Sequence, residues 1–136
     1  MNNTATETRS VVVEREIPYP PEKIWRALTQ PHLIEKWLMK NDFKPVVGHR
    51  FNLGADWGVV DCQVLAVEPN KRLSYTWAAY DLKSVVTWTL TPTSTGTHLR
   101  MEQLGFRPDQ RQYYQGAKYG WQRFFAALEQ LLARID

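Results

Sequence analysis

The chain has 136 residues, 43% hydrophobic and 23% charged, a balance that suits one globular domain with a core and excludes a disordered or fibrous protein. Its net charge of +3 comes from Lys and Arg spread along the whole length, so no basic run points to nucleic acid or a membrane surface, and no apolar run approaches the roughly 20 residues that insert across a bilayer. The single cysteine, Cys62, excludes an internal disulfide, and the polar start, Met1 to Arg9, lacks the apolar core of a signal peptide, so a cytoplasmic protein is expected.

Residues 1–8 (MNNTATET) read as a frayed tail, and 9–136 as one domain without linker or repeat. In RSVVVEREI, Val11, Val13 and Ile17 recur with a period of two, the mark of a half-buried strand. Pro18, Pro20 and Pro21 end it, since proline has no N–H for a sheet ladder. Pro21 suits a first helical position and Glu22 the first turn, so a short helix burying Ile24, Trp25 and Leu28 is predicted. It must stop before Pro31, which opens a second short helix carrying Leu33, Ile34 and Trp37.

Beyond Gly48 the pattern changes to strands and turns. Arg50 to Leu53 is a short strand, GADWG (54–58) a hairpin connection, and Val59 to Val67 a longer strand ended by the EPNKR turn. Leu73, Tyr75 and Trp77 alternate with polar neighbours, as do Val86, Trp88 and Leu90, and Leu99, Met101 and Gln103 share a face of the last strand. Six strands with hairpin-length connections predict an antiparallel meander. From Asp109, a plausible N-cap after Pro108, to Ala133 the chain reads as a long helix. Tyr114, Ala117, Trp121, Phe125, Leu128, Leu132 and Ile135 form its apolar stripe. A sheet with one apolar face needs a cover, and this helix is the element long enough. The expected fold class is α+β, a helix-grip: a six-stranded antiparallel sheet around a long C-terminal helix, with two short helices after the first strand.

The order of YPPEKIWRALTQPHLIEKW, EPNKRLSYTW, TGTHLRMEQLGF and YGWQRFFAALEQLL along the chain resembles the Activator of Hsp90 ATPase homologue 1-like family. That family lies in the START-like group (the SRPBCC or Bet v 1-like superfamily), which includes polyketide cyclases and the birch-pollen allergen fold. The resemblance runs from about Val11 to Leu132 and implies a cavity between sheet and long helix. It departs at Gln103, where many relatives carry a histidine, so proton transfer there loses its best candidate.

Chemistry is sparse. His32, His49 and His98 stand apart without metal-ligand spacing, and no phosphate loop occurs, so neither a metal nor a cofactor is expected. Cys62 lies mid-strand with no nucleophile signature, as a packed thiol would. Strand alternation also sends His98 and Glu102 to the face away from the helix. Six Trp, six Tyr and five Phe then carry the functional reading, because such side chains fill cores and line ligand sites alike. Trp37, Trp77, Trp88, Gln103, Phe106, Tyr114, Trp121 and Phe125 all come from elements facing one space, and are expected to line one shared cavity for a small hydrophobic ligand. Buried Gln103, Trp88 and Tyr114 need polar partners, which a wet or occupied cavity would supply. Gly116 and Gly120, each costing the helix about 1 kcal/mol relative to Ala, mark either that cavity or a close contact with a neighbouring element. A dry void of about 300 Å³ would cost about 7 kcal/mol, so the cavity is not expected to be an empty shell.

Three functions follow: a non-catalytic binder of a small hydrophobic or aromatic molecule, a cyclase-, aromatase- or hydrolase-like enzyme using the same cavity, and a chaperone-contacting module suggested by the family name alone. A protein partner has no signal in the residues themselves.

Overall fold

The computed structural model describes residues 7–136; the tail expected over 1–8 thus lies mostly outside the described residues, with Glu7 and Thr8 exposed and irregular. Strand β1 (Arg9–Ile17) buries Val11, Val13 and Ile17 and exposes Val12 and Glu14, the alternation its sequence carries. Helix α1 (Pro21–Thr29) begins with a proline whose missing N–H costs nothing there, and buries Ile24, Ala27 and Leu28. Gln30 is extended, as a residue before proline prefers, and α2 (Pro31–Trp37) starts again at Pro31, burying Leu33, Ile34 and Trp37.

The strands that follow are β2 (Lys40–Asn41), β3 (Arg50–Ala55), β4 (Gly58–Glu68), β5 (Arg72–Ala79), β6 (Leu82–Thr93) and β7 (Gly96–Phe106). They form one antiparallel sheet in the order β1-β7-β6-β5-β4-β3-β2. The sheet therefore has seven strands rather than six. The extra one, β2, is two residues long and pairs Lys40 with Gly54 and Asn41 with Leu53; two residues are too few to show a period. Between β4 and β5 the turn is made by Asn70, which takes the left-handed conformation asparagine tolerates (φ 66°).

A bulge decides where the end of β7 points. Arg9 pairs with Phe106 but Ser10 with Leu104, leaving Gly105 as the extra residue. Its φ is +136°, and a Cβ there would stand 2.5 Å from the Lys83 carbonyl oxygen. Gln103 faces the core and Leu104 is exposed by ordinary alternation, and the extra residue turns Phe106 back into the core.

Helix α3 (Arg111–Leu132) covers the inner face, an architecture consistent with a helix-grip. Its N-cap is Gln110, not Asp109. The Asp109 carboxylate is drawn away by Arg107, whose Nε donates to it at 3.0 Å. The stripe is also shorter than its spacing suggests. Trp121, Phe125, Leu128, Leu131 and Leu132 are buried, but none of residues 111–120 is. Trp88, Trp121, Phe106 and Phe125 are among the largest fully buried side chains. Each such ring leaves about 150–250 Å² of water contact behind, worth about 4–6 kcal/mol as an upper figure. The C-terminal half of α3 is an anchor; its N-terminal half stands over the site.

Candidate ligand cleft

The cleft follows from what α3 lacks in its first three turns. Gln112, Tyr113, Gly116, Ala117, Gly120, Trp121 and Phe124 recur at helical spacing along one side of it. Two of these are glycines, and a Cβ added at Gly116 or Gly120 would meet no atom within 4 Å. The close-contact explanation for both glycines is thereby removed: they face open space. Opposite them lie Trp77 and Ala79 of β5, Leu82 of β6 and Met39, and the enclosed volume is about 340 Å³. That is the low end of the range for small-molecule sites. The cleft is open to solvent, so its volume is not a dry void.

Two hairpin tips form the rim. Trp57, between β3 and β4, and Tyr80, between β5 and β6, are 52% and 76% exposed. The Tyr80 hydroxyl donates to the Trp57 carbonyl at 2.8 Å, and the ring centroids are 6.4 Å apart. Tyr80 is held in the left-handed region (φ 55°), a costly conformation for an aromatic residue. The lining contains no Asp, Glu, Lys, Arg or His.

The polar groups of the inner wall satisfy one another. Trp121 Nε1 donates to Gln103 Oε1 at 2.7 Å, Gln103 Nε2 to Ser84 Oγ at 3.0 Å, and Ser84 Oγ to the Trp77 carbonyl at 2.8 Å. Gln103 therefore needs no ligand or water as its partner. Trp88 is likewise satisfied, its indole N–H reaching the Tyr75 hydroxyl at 3.1 Å, and Trp37 donates to the Ala27 carbonyl at 2.8 Å.

Of the eight residues expected around one cavity, Trp77, Gln103 and Trp121 border the cleft. Trp37, Trp88 and Phe125 sit behind it as a buried stack. Trp88 lies 5.6 Å from Trp37 edge-on and 5.5 Å from Phe125 face-on, centroid to centroid. Phe106 and Tyr114 face a different groove, beside Arg9 and Arg111. The reason is the closeness of the packing: the stack fills the space that alternation alone left undecided. Trp57, Tyr80, Tyr113 and Phe124 were the aromatic lining residues not expected. GADWG carried Trp57, and the glycines at 116 and 120 marked the helix face that also holds Tyr113 and Phe124, but no local signal pointed to Tyr80.

The thiol, imidazole and charged side chains lie outside the cleft lining. Burial, with the nearby Asp61 and Asp42 charges, pushes the Cys62 thiol up to about 12. Burial likewise raises Tyr75, so its hydroxyl stays neutral. His98 is on the outer face, as alternation predicts, bonded to Glu14 at 2.8 Å and to Glu16, and these carboxylates raise its pKa. Tyr113 lies at the cleft edge, where the neighbouring Asp81 carboxylate raises its pKa. Among the described residues no three His, Cys, Asp or Glu side chains come together to hold a metal ion.

The sequence matches the model of the Activator of Hsp90 ATPase homolog 1-like family over residues 18–133. The chain belongs to that family. Among solved structures of similar fold, protein MLL2253 from Mesorhizobium loti is 73% identical, with a TM-score of 0.90 over 94% of this chain and 99% of that one. Protein BH1534 of Bacillus halodurans is 27% identical, with a TM-score of 0.82 over 91% and 96% of the two chains. DynU16, from the dynemicin biosynthetic locus, is 25% identical with a TM-score of 0.83, over 91% of this chain and 47% of DynU16. No curated protein matches the chain. The family's structural neighbours are SRPBCC or Bet v 1-like proteins, and no helix among the described residues is long and apolar enough to cross a membrane.

Proposed function

We propose that this family member binds a small, flat, uncharged hydrophobic molecule in the cleft between α3 and the tips of the β3–β4 and β5–β6 hairpins. The observation that carries the reading is the pair of glycines at 116 and 120, which leave open space opposite Trp77 where a packed helix would carry side chains. Aromatic walls favour a planar ligand through stacking. A lining without charged side chains disfavours an ion, whose desolvation nothing would offset. DynU16, a structural relative from a biosynthetic locus, accords with a small-molecule role. The lining supplies no carboxylate, imidazole or thiol, so the reading is of binding rather than acid–base catalysis.

Titration with a flat, uncharged polyphenol, followed by quenching of Trp emission, tests it. Saturable quenching is expected for the wild type, and its loss for Gly120→Leu, which fills the cleft from the helix side without touching the core. Equal quenching in the two proteins, or none in the wild type, would remove the cleft as the site. Turnover of an aromatic ester or polyketide-like probe would favour the enzyme reading instead.

A further inference from the structure

A second feature, on the other side of α3's first turns, has no part in the cleft. Arg111, Tyr114, Gln115 and Lys118 share one helix face by their spacing. The guanidinium carbon of Arg9, from β1, lies 5.4 Å from the centroid of the Tyr114 ring, and Lys118 Nζ lies 5.5 Å from the same centroid. Arg9, Phe106, Arg107, Pro108, Arg111 and Tyr114 border a groove of about 420 Å³. Arg107 is already paired there with two carboxylates, Asp109 at 3.0 Å and Asp81 at 3.5 Å, and so is not free to bind an anion. Arg9, Arg111 and Lys118 make no ion pair among the described residues.

Arg9 and Lys118 both lie against the Tyr114 ring, and Arg9 and Arg111 both border the groove; like charges so placed repel one another, and a bound anion would offset that. The backbone adds to it. Gln110 makes no side-chain cap to α3, because its amide is spent on the Asp81 carbonyl and the Arg107 N–H. The first N–H groups of a 22-residue helix thus add positive potential at the edge of the same groove. Two guanidinium groups offer paired donors that match the oxygens of a phosphate, with the ammonium as a further point charge.

We infer that the groove between β1 and the start of α3 binds a phosphate group through Arg9 and Arg111, with Lys118, beside the Tyr114 ring, adding positive potential. The soluble source would be a phosphate monoester and the membrane source an anionic lipid headgroup; the chemistry recognised is the same. The site is separate from the cleft, so it does not depend on what the cleft holds.

The test uses the full chain at constant ionic strength, with chloride as the replaced anion. Amide and arginine side-chain NMR shifts are followed with inorganic phosphate, with phenyl phosphate, and with vesicles of phosphatidylglycerol or phosphatidylcholine. Saturable shifts at Arg9 and residues 111–118 are expected, weakened about tenfold or more in Arg9→Gln/Arg111→Gln. They should persist in Gly120→Leu. Because both arginines are exposed, the double variant should melt with the wild type, and Lys118→Gln gives an independent check. Binding to phosphatidylglycerol vesicles alone, lost in the same variant, supports the site with a lipid source. No saturable shift with any of these, or shifts that the double variant leaves unchanged, would overturn the assignment.

Discussion

The indole N–H of Trp121 and the amide oxygen of Gln103, 2.7 Å apart and both nearly inaccessible to water, join the middle of α3 to β7. The indole can only donate, so this bond orients the amide and leaves its NH₂ to Ser84. Gln103→Leu would strand the indole N–H and cut the chain to Ser84. The expected loss is about 1–3 kcal/mol of stability, read by urea denaturation. An unchanged midpoint would mean that the bond contributes nothing net.

The glycines of α3 make the opposite kind of prediction. With nothing within 4 Å of either Cβ position, Gly116→Ala and Gly120→Ala should each stabilise the protein by about 0.5–1 kcal/mol. Thermal melting of the two variants and their combination would show it. A drop in melting temperature would indicate a conformational demand on the helix that its open face does not reveal.

His98 bridges Glu14 and Glu16 across the β1–β7 pair, and its folded-state pKa is raised above the ordinary 6.5 by bonds to Glu14 and then Glu16. A raised pKa means the folded state holds the proton more tightly. The stabilisation is then complete below about pH 6.5 and is lost as pH climbs through the higher folded value. Denaturation midpoints should fall over that interval in the wild type, and His98→Gln should flatten the fall. Because the cluster is exposed, its size should also shrink in high salt.

The Cys62 thiol, pushed up to about 12 by burial and the neighbouring aspartates, holds almost no thiolate at pH 8. Reaction with a disulfide reagent should be slow in the native protein and rapid in denaturant. Fast native labelling would place Cys62 in a more open setting than β4 provides.

Much of the scaffold was readable because burial imposes a period. Leu73, Tyr75 and Trp77 turn inward on β5, and Val86, Trp88 and Leu90 on β6, as alternation requires. Periodicity failed where few residues carry the information. Two-residue β2 shows no period, and the turn of Phe106 into the core depends on a bulge at Gly105. Gln103 stood out as a polar residue on an apolar face, but its partners are 18 and 19 residues away. Nothing local could reveal that it bonds to protein rather than to a ligand. Of the rim aromatics, Trp57 lay in a segment read simply as a hairpin connection, and Tyr80 lay between two strands where no pattern was read. Their pairing depends on two hairpins of unequal length ending side by side, which is a property of the sheet and not of either segment.

The two halves of α3 have consequences for how such a protein can diverge. Residues 121–132 hold the helix to the sheet, whereas 112, 113, 116 and 120 shape the cleft and bury nothing in the core. Substitutions at the second set can enlarge, narrow or block the cleft while the first set keeps the chain folded. Descendants of one ancestor could therefore exchange one small molecule for another by drift at a few exposed helix positions, with no intermediate that fails to fold.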